Sequence, residues 1–495
     1  MRAALLAMFM ATAAAGDAPV FEDVSHLIPE HHYSGGWEHF VGGGVAALDC
    51  SGNGLPDLVL AGGEGPALLL RNGGAMSFTP EELPITGMTG AYPLDIDGDG
   101  VLDLFILRVG PNIVLRGLGD CMFEDATEAL GINPGNGWST AFTAWWDEGH
   151  ARPTLFVGNY VDRDDPTGPF FACDDNQLLR PRAEGWHSEP FGPGFCPLSA
   201  LAARDARNRL TLRLSNDRHY YVRGGYEQMW DIAEGRFLGA DDGWGEQMLW
   251  GMGIASRDVT GNGLADVYLT SMADQMLQLA QMDGTYRVAP FEMGHTAHRP
   301  ATGDDGRPST GWHAQWGDVN NNGRADLFVA KGNVDQMPDL AMADPNTLLM
   351  QGPDGRFAEV GHLAGVGDPV RARGAALVDL DGDGRLDLVV VNRRAPARLY
   401  RNVTDGVGNW LAVGLRDGGG NTQAIGARVE VTTESGQQWQ ELSIGGGHAG
   451  GQAGALHFGL GAAEHAEITV HWPDGQKTRQ SVSNVNRRIT LTRLD

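Results

Sequence analysis

Short aliphatic and β-branched runs recur along the chain, and five of them directly follow a nine-residue polar segment of one pattern. The segments are DCSGNGLPD (Asp49–Asp57), DIDGDGVLD (Asp95–Asp103), DVTGNGLAD (Asp258–Asp266), DVNNNGRAD (Asp318–Asp326) and DLDGDGRLD (Asp379–Asp387). The runs that follow are LVLAG, LFILR, VYLTS, LFVAK and LVVVN, and small apolar runs such as GVAAL and GAALV stand upstream. The unit is strand, tight oxygen-rich loop, strand. A third strand follows in ALLLRN, NIVLRG, NTLLMQ and ARLYRN, and a fourth in MFEDAT and RFAEV. Four short strands joined by turns predict one blade of a β-propeller.

Two gaps in the series hold worn copies, with Asp147 and Asp205 where the loops should start. Loop starts at 49, 95, 147, 205, 258, 318 and 379 are nearly evenly spaced and predict seven blades. The last unit lacks its fourth strand, whereas VFEDVSHL (Val20–Leu27) resembles MFEDATEAL (Met122–Leu130). The N-terminal strand is therefore expected to complete the last blade and remove an open edge. From about residue 405 the pattern changes to WLAVGL, ARVEVTT, WQELSI, ALHFGL, EITVHW and RITLTR, separated by DGGGN, ESGQ and PDGQ turns. That alternation predicts a small antiparallel β-sandwich. The expected organisation is all-β: a signal segment over 1–15, a propeller over 17–404 with an insertion at 159–197, and a sandwich over 405–495.

The loops point to a hard cation. In the second, Asp95, Asp97, Asp99 and Asp103 occupy positions 1, 3, 5 and 9, with Gly100 at the sharp turn and the Val101 carbonyl available at position 7. Asp379, Asp381, Asp383, Arg385 and Asp387 repeat this set. The remaining loops offer fewer carboxylates: Asp49, Ser51, Asn53, Leu55 and Asp57; Asp258, Thr260, Asn262, Leu264 and Asp266; and Asp318, Asn320, Asn322, Arg324 and Asp326. An EF-hand is excluded because position 12, where that loop needs Glu, holds Leu60, Ile106, Leu269, Val329 and Val390. Ca²⁺ is the expected ion in up to five sites, tightest at Asp95 and Asp379. The weaker loops take Ca²⁺ at millimolar levels or accept a monovalent cation. The worn loops are assigned no metal.

Composition narrows the partners. The net charge is −27, and Lys331 and Lys477 are the only lysines, so no basic stripe exists for nucleic acid or an anionic membrane. Arg2, an apolar run and Ala13-Ala14-Ala15 read as a secretory signal, too short to span a bilayer. In that oxidising context Cys173 and Cys196 are expected to staple one Pro/Gly-rich loop, and Cys50 pairs with Cys121 by elimination. Asn402-Val403-Thr404 is a glycosylation sequon, meaningful only in a eukaryotic secretory pathway. His295, His298, His313 and His448 offer an unspecific transition-metal alternative. The glycine run Gly445–Gly451 is no phosphate loop and suggests a tight turn or a close domain contact. Aromatics in the insertion (Phe170, Phe171, Trp186, Phe191, Phe195) and the stretch Asn216–Tyr221 mark the best sequence candidates for a ligand surface.

The repeats resemble FG-GAP/VCBS repeats of integrin-like propellers. Asn409-Trp410, Ala424–Val429, His457–Gly461 and Trp472–Gly475 are similar to the ASPIC/UnbV module. That combination resembles the cartilage acidic protein 1 family. The resemblance implies a secreted, calcium-binding, non-enzymatic protein with adhesive or matrix-like roles. The chain departs from the family in its two worn loops and in lacking an EGF-like cysteine cluster. The expected function is a binding or adhesion scaffold for a protein or glycan ligand. A hydrolase or carbohydrate-active enzyme using the propeller mouth, and a Ca²⁺-dependent self-assembling matrix protein, are the alternatives.

Overall fold

The computed structural model describes residues 18–168, 171–217, 225–303 and 306–493. The predicted signal segment, Phe170 and residues 218–221 of the predicted ligand surface lie outside the described residues.

Seven sheets, each of four antiparallel strands, follow one another along the chain, and the first gains a short fifth strand from the C-terminal region that pairs in parallel. Their first strands are Val45–Leu48, Met88–Leu94, Ser139–Trp145, Pro197–Arg204, Gly251–Arg257, Gly311–Gly317 and Ala372–Val378. These strands touch in cyclic order, the last returning to the first, and so line the axis of a β-propeller. They are rich in Ala, Gly, Ser and Thr because seven strands converging on one axis leave little room for side chains. Six of the seven open with a register shift, as a β-bulge produces. Fourth strands such as Phe78–Leu83 lie on the rim and expose most residues.

The seventh sheet closes as its missing phrase implies. Phe21–Asp23 pairs with Arg398–Asn402, Phe21 opposite Asn402 and Asp23 opposite Tyr400. The stretch 159–197 differs from expectation. It supplies Asn176–Pro181 and Trp186–Phe191, the outer strands of the third sheet. Pro181, Pro190 and mixed polar residues hide their alternation, yet Leu178, Leu179, Trp186 and Phe191 are all buried. Trp186 and Phe191 therefore belong to the core, whereas Phe171 is exposed. Disulfides join Cys173 to Cys196 and Cys50 to Cys121.

The C-terminal region packs a three-stranded sheet against a four-stranded one. Asn409–Asp417 runs between Leu456–Gly461 and Arg487–Arg493, and the second sheet has the order Gly436–Glu441, Arg428–Thr433, Ala466–His471, Lys477–Val482. Leu411, Val413, Val429, Val431, Phe458, Ile468 and Val470 form its core. It is not wholly antiparallel, because Leu411–Asp417 pairs parallel to Arg487–Arg493. The strand Lys477–Val482 escaped the sequence pattern because its residues are mostly polar and exposed.

The glycine run enters the hub of the ring. Ile444 bridges Ala144, Gly445 bridges Leu201, Gly447 bridges Ile254, Gly450 bridges Ala91, and Gln452–Ala453 pairs with Ala47–Leu48. One segment of the sandwich thus touches the inner strands of five sheets. Only glycine permits this approach: a Cβ on Gly44 or Gly90 would stand 1.7 Å from the Ala449 carbonyl oxygen. At its centre His448 is fully buried, accepting from Gly42 N–H at Nε2 (3.1 Å) and facing the Met252 carbonyl with Nδ1 (3.3 Å).

Candidate cation loops beneath the C-terminal domain

The five loops share one hydrogen-bond plan. The position-1 aspartate accepts the position-6 N–H: Gly54 to Asp49, Gly100 to Asp95, Gly263 to Asp258, Gly323 to Asp318 and Gly384 to Asp379, at 2.6–3.0 Å. Position 5 accepts from position 7, pairing Asn53 with Leu55, Asp99 with Val101, Asn262 with Leu264, Asn322 with Arg324 and Asp383 with Arg385. The position-9 aspartates Asp57, Asp103, Asp266, Asp326 and Asp387 are almost completely buried. One oxygen of each accepts the position-2 N–H, and the other takes an N–H from the end of the third strand. Position 9 is thus a clamp that ties the loop to its sheet.

Position 3 separates the loops. Ser51 and Thr260 turn back to Asp57 and Asp266, whereas Asp97 meets Arg116 Nε at 2.9 Å and Asp381 meets Arg401 Nη2 at 2.6 Å. Arg385 also pairs with Asp383. Neither Arg116 nor Arg401 figured among the sequence candidates. Their shared place near the end of the third strand (NIVLRG, ARLYRN) was the available signal. Burial raises these carboxyls: Asp103 is pushed up to about 7 and Asp266, Asp318 and Asp379 to about 6. Raised carboxyls mean that negative charge here lacks enough compensation from the protein alone.

A hard cation fits these residues. Carboxylate oxygens of Asp95, Asp97 and Asp99 lie within 4.8 Å of one another, as do those of Asp379, Asp381 and Asp387. Oxygens that share one Ca²⁺ at about 2.3–2.6 Å must be this close. Asp49 Oδ1 and Asn320 Oδ1, both at ligand positions, are buried without a hydrogen-bond partner. Cys50, Asp57 and Cys121 also cluster, but both sulfurs are consumed in the disulfide. The histidine alternative gains no such set. His448 N–H donates to His313 Nδ1 at 3.1 Å, yet no group of three ligating side chains among the described residues includes a histidine. Nor is the sequon presented to solvent, since Asn402 is buried and donates to the Val319 carbonyl at 2.8 Å.

The worn loops meet their charge differently. Asp205 accepts from Arg209 Nη2 at 2.7 Å and Nε at 2.9 Å, with Asp231 on the same guanidinium at 3.4 Å. Asp147 is held by Trp145 Nε1 and Thr154 Oγ1.

Comparison with known proteins finds similarity in parts of both domains. Residues 49–106 and 333–390 match the FG-GAP-like repeat, and residues 417–495 match the family described as ASPIC and UnbV. The chain joins FG-GAP-like repeats to an ASPIC and UnbV domain. Cartilage acidic protein 1 of Mus musculus is 34% identical over 125 residues, and that of Homo sapiens 33% over 118. These matches take in 24% and 23% of this chain but only 19% and 18% of the relatives, so the chain spans about a fifth of their length. Among solved structures, a BBS1N–ARL6DN complex superposes with a TM-score of 0.45 at 11% identity, covering 78% of this chain and 97% of that one. An Agrocybe aegerita protein that recognises non-reducing terminal N-acetylglucosamine gives 0.38 at 16%, covering 73% and 94%.

The ASPIC and UnbV domain sits on the cation loops themselves. Thr422 Oγ1 donates to Asp95 Oδ2, and Gln423 Oε1 accepts the Asp95 N–H at 2.9 Å. Trp439 Nε1 donates to Asp258 Oδ2 at 3.0 Å. His457 meets Asn321, Arg488 caps the Gly54 carbonyl, and Trp410 lies where a Cβ on Gly384 would be 1.9 Å from its ring. Two position-1 aspartates are therefore shared between a loop and the neighbouring domain. Among the described residues no helix is long and apolar enough to cross a membrane.

Proposed function

We propose that this protein is an exported, non-enzymatic binding scaffold whose propeller is stiffened by Ca²⁺ in the Asp95 and Asp379 loops, and more weakly in the Asp49, Asp258 and Asp318 loops. The observation that carries this reading is the gathering of three carboxylates at ligand spacing in the loops beginning at Asp95 and Asp379. Bound there, the ion supplies charge neutralisation. The chain's own residues then hold the loop, through the position-9 clamp, and the domain above it, through Thr422 and Trp439. Two disulfides and the cartilage acidic protein 1 relatives support an extracellular setting. With ions spent on rigidity, recognition of a protein or glycan falls to the remaining surface.

The test is thermal unfolding of the full chain in EGTA and in millimolar Ca²⁺, with K⁺ as a control. An ion at 100 times its dissociation constant adds about 2.7 kcal/mol. The expected result is a higher midpoint in Ca²⁺, reduced in Asp95→Ala and in Asp379→Ala. An equal midpoint with and without chelator overturns the reading.

A further inference from the structure

Between the ring and the inner face of the ASPIC and UnbV domain lies a cavity of about 590 Å³, continued by one of about 200 Å³ toward the hub. Arg257, Gln315, Trp316, Glu441, Ser443 and Gln452 line both. The combined volume suits a small organic molecule. The exposed residues Gly454 and Arg487 among its lining mark an opening to solvent.

The polar groups inside are not all spoken for. Gln315 and Gln452 bond to each other at 2.8 Å, and Gln315 also holds the Leu377 backbone. Glu441 uses one oxygen, accepting the Arg204 N–H at 3.1 Å. Ser443 and the Arg257 guanidinium have no hydrogen-bond or ion-pair partner among the described residues. Arg257 ends an inner strand deep in the protein, yet keeps partial accessibility because its side chain borders the cavity. Other interior arginines are anchored: Arg373 by four backbone carbonyls and the Trp312 ring, Arg393 by the His39 carbonyl, the Phe40 ring and an ion pair from Nε to Asp335 at 3.6 Å. A guanidinium removed from bulk water demands an acceptor, and its planar fork matches a carboxylate.

We infer that this cavity is a binding site for a small organic carboxylate, with its charged head on Arg257, a donor group on Glu441 and Ser443, and its apolar side along Trp316, Leu377 and Trp410. The carboxylates of Asp49, Asp258 and Asp379 in the lining, with Asp318 and Asp326 near Arg257, disfavour a dianion. Burial also pushes the Glu441 carboxyl up to about 7, so near neutrality it both donates and accepts.

Asp49, Asp258 and Asp379, the first residues of three candidate cation loops, line the cavity, so the test is run in saturating Ca²⁺ and repeated in EGTA to separate loss of this site from loss of the ions. Binding of acetate, phenylacetate and D-galacturonate to the full chain is measured by calorimetry against acetamide, phenylacetamide and D-galactose, with sulfate as the inorganic control. The expected result is that at least one acid binds tenfold or more tightly than its uncharged counterpart, and that Arg257→Gln abolishes this preference. Ser443→Val should weaken binding several-fold, and the exposed Arg479→Gln should leave it unchanged. Should Arg257→Gln fail to fold, Arg257→Lys and Ser443→Val carry the test. No preference for any acid, tighter binding of sulfate, or equal binding by the folded cavity variants overturns the proposal.

Discussion

The loops at Asp379 and Asp205 solve one problem in two ways. Both join the first and second strands of a sheet, and both place an aspartate at the first position, buried at Asp205 and half-buried at Asp379. In the Asp379 loop four carboxylates crowd together and burial raises Asp379 and Asp387. In the Asp205 loop the spaced oxygens are gone, and Arg209 places its guanidinium against Asp205 and Asp231. Arg209 thus spans both aspartates of its loop, whereas at Asp379 the arginines Arg385 and Arg401 reach only Asp381 and Asp383 and leave Asp379 and Asp387 without a basic partner. Turn geometry is therefore separable from ion binding. Both places hold negative charge that must be compensated, and on the reading proposed above an ion does at Asp379 what Arg209 does at Asp205.

The largest effect should come from the clamp common to the cation loops. Asp387→Ala removes the acceptor for the buried Leu380 and Asn402 N–H groups and should cost about 3–5 kcal/mol in urea unfolding without Ca²⁺, and more in Ca²⁺ because Asp387 is one of the three gathered carboxylates. Next, Arg209→Met leaves two buried aspartates uncompensated. Discounted for the partial exposure of Arg209, the loss should be about 2–3 kcal/mol and insensitive to Ca²⁺. A variant that regained its stability in Ca²⁺ would show that the loop had kept an ion site after all.

The hub supplies a third test. Burial holds His448 down at about 3, with Arg373 and His313 adding to the effect. Its contribution is complete above the ordinary histidine value of about 6.5 and is lost as pH falls toward about 3. Between pH 7 and pH 5 the wild type should lose about 2 kcal/mol more than His448→Gln, from the shift of pKa over that window. Parallel curves for the two proteins would mean that His448 titrates normally. The smallest effect is expected from Thr422→Val, which deletes the bond from the domain to Asp95. It should cost about 1 kcal/mol and lower Ca²⁺ affinity slightly by releasing the Asp95 carboxylate from its orientation; a gain in affinity would mean that Thr422 competes with the ion.

Local chemistry was legible in the sequence, and long-range pairing only where a repeated phrase marked it. Alternating Asp and Gly in nine residues identified the turns, and the runs after them identified the strands, because each depends on near neighbours. The likeness of VFEDV to MFEDA located the closing strand across the whole ring. Arg116 and Arg401 were missed because they lie on the third strand while their partners Asp97 and Asp381 lie in the loop after the first, at a separation that no short pattern encodes. The hub segment was read only as a turn or contact, since Gly445–Gly451 has no periodicity to reveal what surrounds it. Trp186 and Phe191 were offered as a ligand surface, yet they pack inside the third sheet.

The pairing of Phe21–Asp23 with Arg398–Asn402 also sets a timetable. During synthesis the first strand waits for a partner roughly 380 residues away, about 20 to 80 seconds at the usual 5–20 residues per second. The hub segment arrives later still. Until both are made, six finished sheets flank an unfilled axle, and a helper that shields open strand edges would have most to protect in that interval.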